Sequence, residues 1–273
     1  MPAPQEPVAV NGDRNLALFC DFENIALGVR DSKYADFDMR LVVQKLLVKG
    51  SIVVKKAYCD WERYKGYKNA MHEAAFELIE IPHVRQSGKN SADIRMVVDA
   101  HDLCYTKEHI DTFVIISGDS DFSPLVSKLR ENAKTVIGVG VKNSTSDLLI
   151  SNCDEFIYYD DLVRDVRPSR KDSKPVRRAT AAKAPTPQKD RKKEAIDLVL
   201  ETTSALASER ADTAKIWGSM IKQTLKRRHP GFSESFYGFP SFNELLEEAQ
   251  TRGYLKLELD EKSGGYIIQS VTP

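Results

Sequence analysis

The sequence predicts an α/β domain, in which helices sandwich a parallel sheet, followed by a small winged-helix (α+β) domain. Two observations predict this arrangement. In residues 14–163, short apolar runs alternate with segments of helical periodicity, which is typical of strands joined by crossover helices. In residues 191–270, three helical segments precede two strand-like runs. A chain of 273 residues is long enough for both domains.

Six apolar runs in the first half predict the strands, because strands buried on both faces of a parallel sheet have continuous apolar sequences. Between them lie segments of helical periodicity, with Ser91 as an N-cap for the third and Pro124 in the first turn of the fourth. The predicted strands are 16–22, 52–59, 79–84, 111–118, 135–141 and 155–159, and the predicted helices are 37–50, 61–78, 92–105 and 122–132.

A basic, proline-containing stretch separates the two predicted domains. Residues 164–193 contain twelve Lys and Arg but only three Asp and no Glu, and bulky apolar residues do not recur there at any helical or strand period. We therefore predict a flexible linker over residues 164–190. Two roles remain open for it, a solvated hinge and a hinge that also binds phosphates.

The last part of the chain predicts a small helical domain closed by a β-hairpin. Three segments are predicted to be helices, and two strand-like runs follow them, joined by the turn sequence EKSGG. Trp217 lies among apolar residues and is predicted to be a core residue. The predicted helices are 191–206, 214–229 and 239–253, and the predicted strands are 254–260 and 265–269.

Composition limits the classes of partner and of site. Lys and Arg total 40, as do Asp and Glu, so an anionic partner must be bound by local basic patches. The four cysteines lie far apart without a CxxC pair, which argues against a zinc site and favours reduced thiols. With neither a signal-peptide pattern nor a membrane-length apolar run, we expect a cytoplasmic protein without a membrane partner.

Carboxylates follow the predicted strands of the first domain. Asp21 ends the first strand, Asp119 and Asp121 follow the strand at 111–118, and Asp93 lies in the first turn of the preceding helix. The carboxyl ends of parallel strands share one edge of the sheet, so these side chains can converge. Crowded carboxylates repel one another, and oxygen ligands favour Mg²⁺ or Mn²⁺. Such an ion could activate water for attack on a phosphodiester.

Each carboxylate also has a local explanation. Asp93 can interact with the helix dipole, Asp121 can cap the helix that follows, and Asp119 can be a turn residue beside a glycine. Asp21 is harder to explain in this way, because a charged residue that ends a buried strand needs a partner.

Residues 14–163 resemble the NYN (LabA-like) family of the PIN-like nuclease superfamily. The resemblance implies a PIN-like sheet and an RNA-cleaving site that uses Mg²⁺ or Mn²⁺. Carried over by position, it implies Asp21, Asp93, Asp119 and Asp121 as catalytic metal ligands, Asn24 as an orienting catalytic residue, and Ser117 and Ser120 as hydrogen-bond donors behind them. The matching segments are FCDFENI (19–25), KNSADIRMVVDA (89–100), FVIISGDSDFSPLVSKLRE (113–131) and NCDEFIYYD (152–160).

Residues 191–270 resemble the OST-HTH, or LOTUS, domain. The segments that carry the resemblance are 225–246, with its HPGF and YGF sequences, and 254–268. It implies a module that binds RNA, single-stranded or structured, or that docks a protein partner. For the PIN-like domain, a homodimer is a further expectation.

Basic residues in both halves are candidates for RNA contact. In the first half, three of them alternate with aromatic residues in the predicted helix 61–78, a mixture that suits single-stranded RNA, and Lys89 lies in the loop before Asp93. The other set lies at the end of the second C-terminal helix, where cations equally complement the helix dipole. Tyr237 and Phe239 can stack on bases, but core packing is the preferred interpretation. The candidates are Arg63, Lys65, Lys68 and Lys89 in the first half and Lys222, Lys226, Arg227 and Arg228 in the second.

Two other functions are compatible with these residues. One is a non-catalytic RNA-binding adaptor, in which the carboxylates are dispensable. The other is an aspartate-based phosphotransfer enzyme, which would need a DxD motif at the first strand, where this chain has Asp21-Phe22-Glu23.

Overall fold

The chain forms two compact units, residues 1–163 and 164–273. The structure is a computed structural model that describes residues 14–34, 36–81, 91–166, 188–209, 215–260 and 264–271.

The first unit contains a six-stranded sheet in which every neighbouring pair of strands is parallel. The strand order is β3-β2-β1-β4-β5-β6, so the direction in which the sheet grows reverses between β1 and β4. In open α/β sheets, ligands bind beyond the carboxyl ends of the strands at such a reversal. The strands are β1 (Asn15–Asp21), β2 (Ser51–Cys59), β3 (Glu77–Glu80), β4 (Thr112–Ile116), β5 (Thr135–Gly140) and β6 (Glu155–Tyr158).

Helices cover both faces of this sheet, as the alternating pattern predicted. Along β1, Leu16, Leu18 and Cys20 belong to one hydrophobic core, and Ala17 and Phe19 belong to the other. The described helices are α1 (Phe22–Asp31), α2 (Met39–Leu47), α3 (Lys68–Glu73), α4 (Ser91–Thr106), α5 (Ser123–Glu131), α6 (Asp147–Asn152) and α7 (Tyr159–Val166).

The sequence prediction was wrong at the end of β1. The strand ends at Asp21, and Phe22 begins helix α1, which was not predicted. Phe22 continues an apolar run and therefore looks like a strand residue. In the structure its ring contacts Phe37, Trp61 and two tyrosines, and these tertiary contacts favour the helix. Helices α6 and α7 were also missed.

The predicted helix at 61–78 is divided in the structure. A turn and a short 3-10 helix (Lys65–Tyr67) precede the six-residue α3. Ala75 has a positive φ of 57°, which ends the helical segment, and β3 then begins at Glu77. The aromatic spacing that suggested one long helix instead reflects side chains that pack on a common core from different elements.

The predicted linker at 164–190 is shorter than expected at both ends. Helix α7 continues to Val166 because Tyr159 and Leu162 anchor it in the core. Helix α8 begins at Gln188, before the predicted start at 191. Residues 167–187 lie outside the described part of the chain.

The second unit has the predicted combination of three helices and a hairpin. Apolar residues from all three helices, such as Val199, Leu225 and Leu246, form its core. Residues 216–217 were predicted to be helical, but they form a third strand, and Trp217 is only partly buried. The elements are α8 (Gln188–Glu209), β7 (Ile216–Trp217), α9 (Gly218–Arg228), α10 (Phe242–Thr251), β8 (Leu255–Leu259) and β9 (Tyr266–Val271), with antiparallel order β7-β9-β8.

All four cysteines are buried and form no disulfide; they are Cys20, Cys59, Cys104 and Cys153. None of the described helices has both the length and the apolar character needed to cross a membrane.

We predict that Gly138→Ala destabilises the first unit. A Cβ at Gly138 in β5 would lie 2.3 Å from the ring of Phe156 on β6 and 2.9 Å from the Cys153 sulfur. Because both neighbours are buried, the expected loss in the free energy of unfolding is about 1–3 kcal/mol. Chemical denaturation measures it. Gly66→Ala is the matched control, since a Cβ there would meet no described heavy atom within 4 Å beyond its own residue and its two chain neighbours. Equal effects of the two substitutions would contradict the prediction.

Candidate functional site

The candidate site lies where the sheet reverses direction, beyond the carboxyl ends of β1 and β4. Cys20 and Ile116 are paired at the ends of these strands, so the next residues, Asp21 and Ser117, lie side by side. The Ser117 hydroxyl donates a hydrogen bond of 3.0 Å to Oδ2 of Asp21. Two segments almost one hundred residues apart in sequence are thus joined by a direct contact at the site.

Hydrogen bonds extend this contact into the two loops. Oδ1 of Asp21 caps α1 by accepting from the backbone N–H of Asn24 at 3.3 Å. The Asn24 amide oxygen accepts from the N–H of Gly118 at 2.8 Å. The Ser117 hydroxyl also accepts from the N–H of Asp119 at 3.2 Å. Asn24 and Ser117, both predicted from the sequence, therefore fix the start of α1 against the loop after β4.

The Asp21 carboxylate is buried, with only 7% of the residue exposed. Burial, and then the negative charge of Asp93, raise the pKa of Asp21 to about 7. The hydrogen bonds from Asn24 and Ser117 oppose this increase but do not cancel it. Burial and the neighbouring charge thus destabilise the ionised form of Asp21 relative to its protonated form.

Asp93, in the first turn of α4, is the second perturbed carboxyl. Burial, followed by the charges of Asp119, Asp121 and Glu23, raises the pKa of Asp93 to about 6. Asp21 and Asp119 also interact electrostatically. All four predicted aspartates therefore belong to one mutually repelling group.

Glu23 is a fifth acid that sequence reasoning had left out. It lies on the first turn of α1 and acts on Asp93, and its carboxylate forms an ion pair of 3.0 Å with Arg63. Its position two residues after Asp21 was the available signal. The signal was missed because α1 itself was not predicted.

The structure supports some of the local explanations for the aspartates and not others. Oδ1 of Asp119 accepts from the Asp121 N–H at 3.0 Å and caps the 3-10 helix Ser120–Phe122, so the turn role of Asp119 is present. Asp121 does not cap α5, whose N-cap position is Phe122. Ser120 lies in the same turn as the acidic group and is partly exposed. Asp93 lies in the first turn of α4, as its helix-dipole explanation requires. Local roles therefore account for part of the behaviour of Asp119 and Asp93 but not for Asp121.

The aspartates fit a divalent cation by their chemistry, although their side chains are not gathered into a ready ligand set. Within the described residues, no three His, Cys, Asp or Glu side chains are arranged closely enough to hold a metal ion. The assignment of Asp21, Asp93, Asp119 and Asp121 as metal ligands therefore stays a prediction. What supports it is the uncompensated charge on oxygen donors of the type that Mg²⁺ and Mn²⁺ prefer.

The predicted RNA-contacting residues of the first unit differ in their surroundings. Arg63 lies at the edge of the acidic group, because it forms an ion pair with Glu23. Lys68 is paired with Glu62 at 2.8 Å, and Lys65 is exposed. Lys89 lies outside the described residues.

In the second unit, Lys226, Arg227 and Arg228 lie in the last turn of α9, and Lys222 lies one turn earlier. Lys222 pairs with Glu234 at 2.8 Å, and Arg228 pairs with Glu201. Lys226 is partly buried, and Arg227 is exposed. The charge that this end of α9 offers to an anion is therefore smaller than the sequence suggested.

The first unit matches one family model, and two known proteins are similar to part of the chain. The family model of the NYN domain matches residues 15–160, more than half of the chain. An uncharacterised protein of Methanocaldococcus jannaschii is 27% identical over 146 residues, which cover 54% of this chain and 55% of that protein. The chain thus spans about half the length of this curated relative. A crystal structure of a protein of unknown function from Vibrio parahaemolyticus aligns with a TM-score of 0.49 and 25% identity, over 55% of this chain and 95% of that one.

We predict that Asp21→Asn stabilises the protein in EDTA at pH 8 but not at pH 4. The pKa of Asp21 is near 4 in an unfolded chain and about 7 in the fold. The cost of ionisation is therefore absent below pH 4, develops between pH 4 and 7, and is complete above pH 7. A tenfold change in proton affinity corresponds to about 1.4 kcal/mol. The free energy of unfolding of Asp21→Asn should therefore exceed that of wild type at pH 8 by at most roughly 4 kcal/mol. Chemical denaturation at both pH values measures it.

The matched control is Asp102→Asn, which removes a carboxylate from an exposed position of α4. Because Asp21 is intact in this variant, its difference in stability from wild type should be small and equal at pH 4 and pH 8. An Asp21→Asn protein that is equally or less stable than wild type at pH 8 would contradict the electrostatic description of the site.

Proposed function

Because the chain belongs to the NYN family, part of the PIN-like nuclease superfamily, we propose that its first unit is a metal-dependent ribonuclease. The proposed substrate is RNA, and the proposed cofactor is Mg²⁺ or Mn²⁺. We further propose that the second unit is an OST-HTH/LOTUS-type module that binds the same RNA.

The observation that carries the nuclease proposal is the group of mutually repelling carboxylates at the β1–β4 reversal. Folding has placed Asp21 almost out of contact with water, beside the charge of Asp93, and the pKa of both carboxyls is raised. Such an arrangement lowers the stability of the free protein. Strongly perturbed carboxyls in a cleft are characteristic of functional sites, because structural roles seldom require them.

Some residues of the proposed site would bind the cation, and others hold the ligands and the loop after β4 in place. Asp21, Asp93, Asp119 and Asp121 would hold the cation, which would supply an activated water and stabilise the leaving oxygen of the phosphodiester. Ser117 holds Asp21 and the Asp119 backbone together, and Asn24 fixes the loop at Gly118. Arg63, bound to Glu23 at the edge of the acidic group, could contact a flanking phosphate.

The proposed RNA contacts of the second unit are electrostatic. Phe239 is buried, and Tyr237 is stacked on Phe232. Both aromatic side chains therefore pack with the core, as predicted from the sequence. Lys192 lies over the Phe239 ring. The candidate contacts are therefore the cations of α9, namely Lys222, Lys226, Arg227 and Arg228.

One observation favours the alternative of a non-catalytic RNA-binding adaptor. The Asp119 carboxylate is occupied by a local cap, so an uncharged residue could preserve the same structure. An adaptor would retain its RNA affinity in EDTA and would tolerate replacement of the acidic residues.

We predict that the purified chain cleaves single-stranded RNA in Mg²⁺ or Mn²⁺ and that Asp119→Asn lowers the cleavage rate by at least about 10²-fold, the loss typical when one charge-stabilising group is removed. Asparagine can still accept the capping bond from Asp121, so the fold is expected to persist. A fluorescent RNA cleavage assay over a metal series, with circular dichroism of each variant, measures both properties. Asp102→Asn is the matched control and should cleave like wild type. Intact RNA with every divalent metal would reject the nuclease and leave the adaptor.

We predict that Arg227→Gln weakens RNA binding and lowers the slope of log affinity against log salt by about one, since one phosphate contact is lost. Fluorescence anisotropy with a cleavage-deficient chain and a labelled RNA measures the slope. Arg252→Gln is the control, because Arg252 is the C-cap residue of α10 and is paired with Glu248 of that helix. Equal slopes for the two variants would remove Arg227 from the RNA surface.

A further inference from the structure

An apolar groove adjoins the acidic group. It has a volume of about 700 Å³ and lies between α4 and the start of α5, with one contribution from α6; we call it the α4–α5 groove. Asp93 and Asp121 form part of its wall. The groove therefore opens directly beside two of the carboxylates to which the nuclease proposal assigns a function.

The apolar lining of the groove is unusually exposed. Ile94 and Val98 on α4 are 62% and 55% exposed, and Leu148 on α6 is 56% exposed. Single exposed apolar residues are common, whereas these three line one concave surface, which is the usual form of a small-ligand site. All three lie at the surface, so none of them is needed to fill either core of the sheet.

The polar groups of the groove exclude some ligands. Its lining contains two carboxylates and no Lys or Arg among the described residues, so a phosphate would be repelled there. Ser123, which also lines the groove, is 95% buried, and its hydroxyl has no hydrogen-bond partner among the described residues. A neutral, flat, largely apolar ligand that also carries hydrogen-bonding groups matches this lining.

We propose that the α4–α5 groove binds an unpaired nucleobase of the RNA, next to the phosphate that is cleaved. The proposal rests on the ribonuclease function, because that function places a phosphate at the acidic group. Unpaired bases offer a neutral apolar face together with hydrogen-bonding edges, and single-stranded RNA presents them to proteins. The volume lies in the range of small-ligand sites.

A protein segment or a second copy of the chain fits the groove less well than a base. A macromolecular interface over the groove would also cover Asp93 and Asp121 and would desolvate two carboxylates without a cation in the lining. A single base can occupy the apolar floor and leave the carboxylates open.

The first test uses nucleosides, which carry no phosphate. The full-length chain is labelled at the methyl groups of Ile, Leu and Val and titrated in EDTA with adenosine and uridine, with ribose as the control. We expect the methyl resonances of Ile94, Val98 and Leu148 to shift with at least one nucleoside and not with ribose. The exposed methyl groups of Leu47, Val48 and Val53, which do not line the groove, should stay unchanged.

The second test uses variants outside the acidic group. Val98→Ser and Leu148→Ser, made separately, should each weaken nucleoside binding at least about fivefold, because each removes apolar surface that a bound base would cover. Val48→Ser removes a valine that is 87% exposed and does not line the groove, and it should leave binding unchanged. Because both groove residues are exposed, thermal melting should be close to wild type; if one variant fails to fold, the other and the wild-type titration still decide.

The outcomes separate the groove from the nuclease. Groove methyl groups that respond to neither nucleoside, or that shift with protein concentration alone, overturn the base site, the latter result in favour of a second copy. Cleavage of RNA without nucleoside binding would leave the nuclease intact and reject the groove. Nucleoside binding at these three residues without cleavage would support the groove and reject the nuclease.

Discussion

The first unit depends on one contact, the hydrogen bond between the Ser117 hydroxyl and the Asp21 carboxylate. This bond joins the ends of β1 and β4 at the point where the order of the described strands reverses, and it lies within a region closed to water. Asp21 also caps α1, and Ser117 also receives the Asp119 N–H. Strand pairing, helix initiation and the loop after β4 therefore all meet at one buried charge.

That charge explains why the site costs stability. Asp21 accepts two hydrogen bonds, yet burial and Asp93 still raise the pKa of its carboxyl to about 7. The surrounding cores compensate, because β1 and β4 are entirely apolar between their ends and pack on both faces. A rigid sheet with helices on both sides can hold like charges together that a more pliable structure would separate.

Helix α4 links the acidic group to the apolar groove. Its first turn carries Asp93 into the electrostatic field of the other acids, and the next residues, Ile94 and Val98, stay exposed beside it. The buried side of the same helix is anchored by Met96 and Ala100. One amphipathic element thus presents a charge and an apolar surface to the same opening, which a substrate with a phosphate and a base would use together.

The sequence by itself determined the alternation of strands and helices and the placement of Asp21, Asp119 and Asp121 after strands, because both follow from local periodicity and from the common edge of parallel strands. Only the tertiary structure decided that β1 and β4 are neighbours, that Phe22 starts a helix, and that Glu23 joins the acidic group. The α4–α5 groove was likewise visible only in the tertiary structure. The physical reason is that strand order, burial and electrostatic coupling arise from contacts between segments far apart in the chain, which local patterns do not encode.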